Sequence, residues 1–324
     1  MMFRTLPPEV VWTLVGVLAA LAVASLAAAA LRALQPKTDH SELTARIRTW
    51  WVIVVLFGGA VLLGRGASLA FFAFVSFLAL KEYLSLIPTR RADRRVLFWA
   101  YLAIPVQYAL IGYENYGVFI VFIPVYLFLA LPIRALLIGE TEGYINAVAT
   151  LQWGLMTTVF TLSHAAYLLV FEPFATPRVA PDWPSEASAA APGAGLLLLL
   201  VLLTQANDVA QYLWGKSIGR AKVAPSVSPG KTWGGLVGGV ATTIALAGLI
   251  GPRLTLLDPP RALLAGAIIG VGGFFGDLSI SALKRDLGVK DSGSTLPGHG
   301  GVLDRVDSLS YAAPLFFHFV YFLY

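Results

Sequence analysis

The stretch VVWTLVGVLAALAVASLAAAAL, residues 10–31, contains no charged side chain and is long enough to cross the hydrocarbon core of a bilayer as a helix. A second run, LLLLLVLL at residues 196–203, is equally apolar. Lipid offers the backbone no hydrogen-bond partners, so such spans must be helical. With 57% hydrophobic and 13% charged residues, the 324-residue chain is predicted to be an integral membrane protein. The first run exceeds the apolar region of a cleaved signal peptide, and its stronger positive flank follows it, so we interpret it as a membrane helix.

The apolar pattern predicts an all-α polytopic membrane protein with about ten transmembrane helices, in a range of nine to ten. The predicted spans are residues 10–32, 50–64, 67–87, 96–113, 117–134, 147–171, 194–214, 233–251, 261–283 and 308–324. The second span is short and the last is C-terminal, so a re-entrant or interfacial arrangement is an alternative for both. Residues 172–193, rich in Pro, Ala and Ser, are predicted to form an irregular external loop.

The Lys and Arg residues predict the orientation of these spans. When the loop after the first helix is placed in the cytoplasm, 17 of the 23 cations fall on the cytoplasmic side. Such an excess is typical of cytoplasmic loops and predicts that both termini lie outside. We attribute the net charge of +5 to topology and to contact with anionic lipid, and expect no nucleic-acid partner. The chain has no cysteine, which excludes disulfides and thiolate metal sites.

Two carboxylates interrupt apolar helices. Asp208 follows LLLLLVLLTQAN, and Asp277 lies in GGFFGDLSI. Burial of a charge in a membrane is costly unless a cation compensates it, so both are candidate site residues, although hydration at the interface also explains Asp208. Lys81 and Glu82, near the inner end of the third span, are as compatible with snorkelling to the interface as with a role at the site.

The stretch from Leu283 to Ser308 concentrates charge in an otherwise apolar chain. Asp304 and Asp307 share a face at the start of a helix, and Asp291 can fold back toward them across the intervening glycines. Carboxylates without cysteine favour a hard ion such as Mg²⁺, bound together with substrate phosphate. The matching positive charges are Lys284, Arg285, Lys290 and Arg305.

Four glycines lie in SGSTLPGHGG, residues 292–301, and supply backbone N–H groups suited to phosphate oxygens. An ordinary solvated loop has no need of them. His299, in the same stretch, either acts in catalysis or only hydrogen-bonds the loop.

A second polar stretch, GKSIGRAKVAPSVSPGKTWGG at residues 215–235, contains PGKT. A nucleotide P-loop requires a glycine where Pro225 stands, so we reject that reading. Ser226, Ser228 and Lys231 precede a predicted helix N-terminus and are instead candidates for holding phosphate.

Together these motifs resemble the signature of the phosphatidate cytidylyltransferase (CDP-diacylglycerol synthase) family. The matching elements are Ser281-Ala-Leu-Lys284-Arg285, Lys290-Asp291-Ser-Gly, Pro297-Gly-His299-Gly-Gly and Asp304-Arg305-Val-Asp307. SPGKTWGG, residues 228–235, resembles a second family stretch, Ser-Pro-Lys-Lys-Thr-Trp-Glu-Gly, and Asp208 and Tyr212 match an Asp and a Tyr upstream of it. The specific resemblance runs from about Asn207 to the C-terminus.

Two departures from the family pattern suggest a divergent, synthase-like branch. Gly234 replaces the usual acid, and NDVAQY at residues 207–212 replaces the commoner Asp-(Ser/Thr)-(Gly/Phe)-Ala-Tyr. The type of reaction is therefore better supported than the identity of the acceptor lipid.

The resemblance implies transfer of a cytidylyl group from CTP to phosphatidate, giving CDP-diacylglycerol and pyrophosphate. It implies that Asp277 and Asp304 hold metal, with Asp291 and Asp307 assisting, at a centre containing Mg²⁺ and a second cation such as K⁺. The other residues assigned to the reaction are Lys284, Arg285, Lys290, His299 and Arg305, and those assigned to substrate binding are Asp208, Tyr212, Ser228, Lys231 and Thr232.

The same resemblance suggests where the protein acts. We expect a bacterial inner membrane, with the site facing the cytoplasm and in contact with membrane lipids; a homodimer is compatible with the resemblance. Residues 1–193 would then be N-terminal helices with the external loop, and residues 194–324 the catalytic region of the same membrane domain.

Two other functional classes are alternatives. A CDP-alcohol phosphotransferase is also Asp-rich and metal-dependent, but its Asp-Gly…Ala-Arg…Gly…Asp…Asp series is not found in the sequence. A non-catalytic ion-coupled transporter or lipid-binding scaffold would use the membrane acids as an ion path. The pairing of acids with bases in cytosolic loops argues against that class.

Overall fold

The computed structural model describes residues 6–87, 94–137, 139, 141–171, 192–298 and 300–324. The predicted external loop therefore lies outside the described residues up to residue 191, and so does His299.

The described residues form ten helices, which confirms the predicted all-α class and number of helices. The first five are α1 Pro8–Leu34, α2 Ser41–Leu63, α3 Arg65–Leu86, α4 Arg94–Gly112 and α5 Tyr116–Leu136. The others are α6 Tyr144–Val170, α7 Pro192–Ile218, α8 Trp233–Leu254, α9 Pro259–Asp286 and α10 Leu303–Leu323. Among these helices, nine are long and apolar enough to span a membrane, and α4 has a shorter apolar stretch, Val96–Gly112.

Helices α2 and α10 begin earlier than the apolar pattern predicts. Helix α2 has 23 residues and starts at Ser41, because its polar first turns remain helical and carry an ion pair between Glu42 and Arg46 four residues apart. Helix α10 has 21 residues and starts at Leu303, so Asp304 and Asp307 lie in its first two turns. Both are continuous helices of membrane-spanning length, which favours full spans over re-entrant segments.

The polar stretch after α7 contains a β hairpin that the sequence analysis did not predict. Helix α7 continues to Ile218, and strands β1 Lys222–Ala224 and β2 Ser228–Thr232 then pair antiparallel. Strands of three and five residues, one with a proline, carry no clear alternation of polar and apolar residues. The hairpin places Lys231 at the N-terminus of α8.

Small residues allow α7, α8, α9 and α10 to pack closely, as is usual between membrane helices. A Cβ atom at Gly266 of α9 would lie 2.6 Å from the Ala247 Cβ and 2.8 Å from the Ile244 Cα, both on α8. Nearer the polar end, Gly276 of α9 leaves no room for a side chain beside the Asp307 carbonyl of α10. This close approach brings the start of α10 alongside the neighbouring Asp277.

A buried amide connects three of these helices. The Asn207 side chain of α7 donates from Nδ2 to the Gly270 carbonyl of α9 at 3.1 Å. Its Oδ1 accepts from the Thr243 hydroxyl of α8, also at 3.1 Å. Such interhelical hydrogen bonds fix the register of the helices that carry the polar residues.

Replacing Gly266 by Ala is expected to lower the midpoint of thermal unfolding of the detergent-solubilised protein, because overpacking a close helix crossing costs about 1–3 kcal/mol. Gly16→Ala is the matched control, since nothing lies within 4 Å of a Cβ atom there. A Gly266→Ala midpoint equal to that of the control would show that this crossing is not tightly packed.

Candidate active site

Three carboxylates from three helices form what we term the acid cluster: Asp208 of α7, Asp277 of α9 and Asp307 of α10. They are close enough to repel one another. Ser308 connects two of them, because its hydroxyl donates to Asp208 Oδ1 at 3.0 Å and its backbone N–H donates to Asp307 Oδ1 at 2.7 Å. The Ser281 hydroxyl donates to Asp277 Oδ1 at 3.1 Å. Asp208 is half-buried, and its place in this cluster favours a role at the site.

Lys231 provides the closest positive charge to the acid cluster. Its ammonium lies 2.7 Å from Asp277 Oδ2 and 4.6 Å from the centre of the Phe274 ring. It also donates to Gln211 Oε1 at 3.3 Å. The Arg305 guanidinium attracts Asp208 and Asp307, and its buried Nε has no partner in the described residues.

A cavity of about 210 Å³ adjoins this lysine. Its lining includes Asp277 and Gln211. It also includes all five residues that the resemblance assigns to substrate binding: Asp208, Tyr212, Ser228, Lys231 and Thr232. Thr232 also has a structural role, because its hydroxyl oxygen accepts from the Gly235 N–H at 3.1 Å and so caps the N-terminus of α8. The cavity, which we term the Lys231 cavity, is therefore lined by both acids and hydrogen-bond donors.

Asp304 lies in a second group of contacts, centred on the loop at residues 287–302. Its Oδ1 accepts from the Lys284 ammonium at 2.7 Å, and its side chain is 5% exposed. Its Oδ2 accepts from the Ser292 N–H at 2.8 Å, the Ser292 hydroxyl at 3.0 Å and the Gly301 N–H at 3.0 Å. Asp304 thus ties Ser292 and Gly301 of the loop to the start of α10.

Glu82 of α3 supports the same loop from the N-terminal half of the chain. Its Oε2 accepts from the Leu303 N–H at 2.9 Å and from the Ser292 hydroxyl at 3.3 Å. The first of these hydrogen bonds caps the N-terminus of α10. Gly301 packs against this carboxylate so closely that a Cβ atom would not fit. Glu82 is 8% exposed, so it does not snorkel, whereas the neighbouring Lys81 is exposed. The sequence draws attention to the charged pair, but it does not reveal that Glu82 supports the loop.

The remaining predicted residues lie around the loop. Arg285, at the end of α9, donates to the Val227 carbonyl of the β hairpin at 3.2 Å and to the Val289 carbonyl of the loop at 3.3 Å. Lys290 and Asp291 are exposed. A Cβ atom at Gly300 would lie 3.5 Å from the Asp291 Cβ and 2.6 Å from Asp304 Oδ2, so the chain folds back near Asp304. His299 lies outside the described residues.

The donors of the acid cluster fit a hard cation. They are carboxyl oxygens, and the three carboxyl groups share two nearby cations, Lys231 and Arg305. Within the described part of the chain, no three acidic or histidine side chains already converge on one point in metal-binding geometry. Mg²⁺ does not require such a cage, because it usually keeps several waters and binds one or two carboxylates plus substrate phosphate.

The sequence is similar to known proteins over most of its length. The model of the cytidylyltransferase family matches residues 44–323. The chain is 48% identical over 285 residues to an uncharacterized protein of Escherichia coli K12, YnbB, covering 88% of this chain and 89% of that protein. It is 43% identical over 136 residues to a phosphatidate cytidylyltransferase of Haemophilus influenzae and 41% identical over 124 residues to one of Pseudomonas aeruginosa.

The two named enzymes match only part of this chain. The alignments cover 40% and 38% of it, and 47% and 46% of the enzymes. The chain thus spans about half the length of the curated phosphatidate cytidylyltransferases that it matches.

Replacing Glu82 by Ala is expected to loosen the 287–302 loop, because the Leu303 N–H loses its buried acceptor and the Ser292 hydroxyl keeps only Asp304 Oδ2. A loss of about 1–3 kcal/mol in the free energy of opening the loop corresponds to roughly 5- to 150-fold faster trypsin cleavage after the exposed Lys290. Glu82→Gln keeps one acceptor oxygen and should show a smaller increase. Glu42→Ala, which removes only an exposed ion pair, is the control, and cleavage of Glu82→Ala at the control rate would contradict the supporting role.

Proposed function

This chain belongs to the cytidylyltransferase family, and we propose that it transfers a cytidylyl group from CTP to phosphatidate, giving CDP-diacylglycerol and pyrophosphate. The observation that carries the proposal is the presence of two acid-cluster residues, Asp208 and Asp277, in the wall of the Lys231 cavity, with the second lysine–aspartate pair at the neighbouring loop. Paired acids and bases of this kind suit the binding of phosphates together with a divalent cation.

The reaction is proposed as a direct displacement at phosphorus. A lipid phosphate oxygen attacks the α-phosphorus of CTP, a new P–O bond forms, and the bond from the α-phosphorus to the β-phosphate bridging oxygen breaks. Its electrons leave with pyrophosphate. The lipid phosphate is already ionised at neutral pH, so no strong general base is needed, and catalysis consists mainly of alignment and charge neutralisation.

The residues divide this work according to their positions. Asp277, Asp208 and Asp307 would hold Mg²⁺, which when bound neutralises phosphate charge. Asp304 would contribute its Oδ1 when Lys284 binds a phosphate instead, and Asp291, which the loop folds back near Asp304, would assist. Arg285, Lys290 and His299 are further candidates for phosphate contact. We also propose that a second cation such as K⁺ binds at the same centre.

Lys231 and Arg305 are the best placed phosphate ligands. The ammonium of Lys231 borders the cavity, and the buried Nε of Arg305 has no acceptor in the described part of the chain. Ser228 and Tyr212 line the same cavity and can position the nucleotide or the lipid headgroup. Each of these groups binds an anion without forming a covalent intermediate.

We further propose the setting of the reaction. The protein is an integral membrane protein, and the excess of cations in the loops at one end of its helices supports a site at the cytoplasmic face of a bacterial inner membrane. There it can receive a lipid headgroup from the bilayer and CTP from the cytosol. A homodimer is compatible with the proposal.

Replacing Asp277 by Asn should reduce cytidylyl transfer at least about 100-fold, because the loss of its charge removes a cation ligand at the reacting phosphates. The assay uses purified full-length protein, labelled CTP, Mg²⁺ and micellar phosphatidate, and measures CDP-lipid and pyrophosphate. Asp39→Asn, in an exposed turn before α2, is the matched control. No CDP-lipid from the wild-type protein would contradict the proposed function, and full activity of Asp277→Asn would contradict the role of that carboxylate.

A further inference from the structure

Gln211 is a buried amide in the wall of the Lys231 cavity that the proposed reaction does not yet use. It lies on α7 and is 9% exposed. Its orientation follows from its partner: the Lys231 ammonium can only donate, and it lies 3.3 Å from the amide oxygen. The amide nitrogen therefore points away from the lysine.

This amide nitrogen has two hydrogens to donate and no acceptor among the described residues. A buried donor without a partner is destabilising, so native proteins rarely keep one without a reason. The side chain is nevertheless specifically accommodated, since a Cβ atom at Gly239 of α8 would collide with its Cγ. The fold thus makes room for a donor whose acceptor it does not supply.

The surroundings indicate what kind of acceptor would fit. The amide adjoins the Lys231 ammonium and shares the cavity wall with Ser228. A neutral donor beside an ammonium suits an anionic oxygen with several lone pairs, as in a phosphate, because both groups can donate to the same phosphate. A neutral carbonyl ligand would not use the adjacent positive charge.

We propose that Gln211 contacts the substrate by donating from Nε2 to a phosphate oxygen held by Lys231; this inference rests on the proposed function. The phosphate belongs either to CTP or to the acceptor lipid, and the chemistry of recognition is the same for both. In NDVAQY, Gln211 stands where the family pattern has Ala, which cannot donate. The contact therefore distinguishes this branch from enzymes with the commoner pattern.

The test compares Gln211→Met with Gln205→Met, the same substitution six residues earlier on α7 and not among the residues that line the cavity. Losing one hydrogen bond to a charged oxygen should raise the KM of one substrate about tenfold, with kcat changed by less than about twofold. A rise in the KM of CTP assigns the phosphate to the nucleotide, and a rise in the KM of phosphatidate assigns it to the lipid. Unchanged KM values for both would overturn the proposal.

A binding experiment separates this proposal from the proposed function. Thermal stabilisation of the full-length protein by CTP, or by phosphatidate in micelles, requires no turnover. A smaller shift in the unfolding temperature for Gln211→Met than for the wild type and for Gln205→Met supports the contact. If that result is obtained while no CDP-lipid is formed, the proposed function fails and the contact stands. Equal shifts in all three proteins, or no shift in the wild type, would overturn the contact.

Discussion

Two lysine–aspartate pairs are the interactions on which the rest of the site depends. The ammonium groups of Lys231 and Lys284 each lie 2.7 Å from a carboxylate, Asp277 and Asp304 respectively. Acids near the interior of a membrane protein require such compensation, and removing one partner would leave an uncompensated charge. The first pair connects the β hairpin to α9, and the second connects α9 to α10. The same charges therefore hold the helix ends together and provide the proposed chemistry.

This compensation explains why a chain that is 57% hydrophobic concentrates charge between Leu283 and Ser308. Asp277 and Asp304 each face a lysine, and Asp304 also accepts from backbone N–H groups of the loop. Substrate phosphates would exchange with these partners rather than enter an uncharged site. Glycine supports the arrangement at two points. Gly276 lets α9 approach α10, and Gly301 leaves space for the Glu82 carboxylate. Close helix packing and charge compensation therefore occur together at the polar end of the bundle.

The sequence predicts most of the fold, because a membrane span must be an apolar helix and ten such runs are evident. It also identifies Asp208, Asp277 and Lys231 as candidate site residues, because charged side chains next to apolar runs require partners. It does not predict the role of Glu82, whose partners Ser292 and Leu303 lie more than 200 residues away. The donor of Gln211 is equally hidden, because only the packing on α8 shows it to be buried. Helix starts were missed where polar residues continue a helix beyond its apolar part.

The most direct test of the account is an experimental structure of the full-length protein with Mn²⁺ and a non-hydrolysable CTP analogue, using the anomalous signal of manganese to locate the ion. The account predicts a peak beside the Asp277 carboxylate, between α7, α9 and α10, with the Lys231 ammonium moved from that carboxylate to a phosphate. A peak remote from all three acid-cluster carboxylates, with the Lys231–Asp277 pair intact beside bound nucleotide, would contradict it.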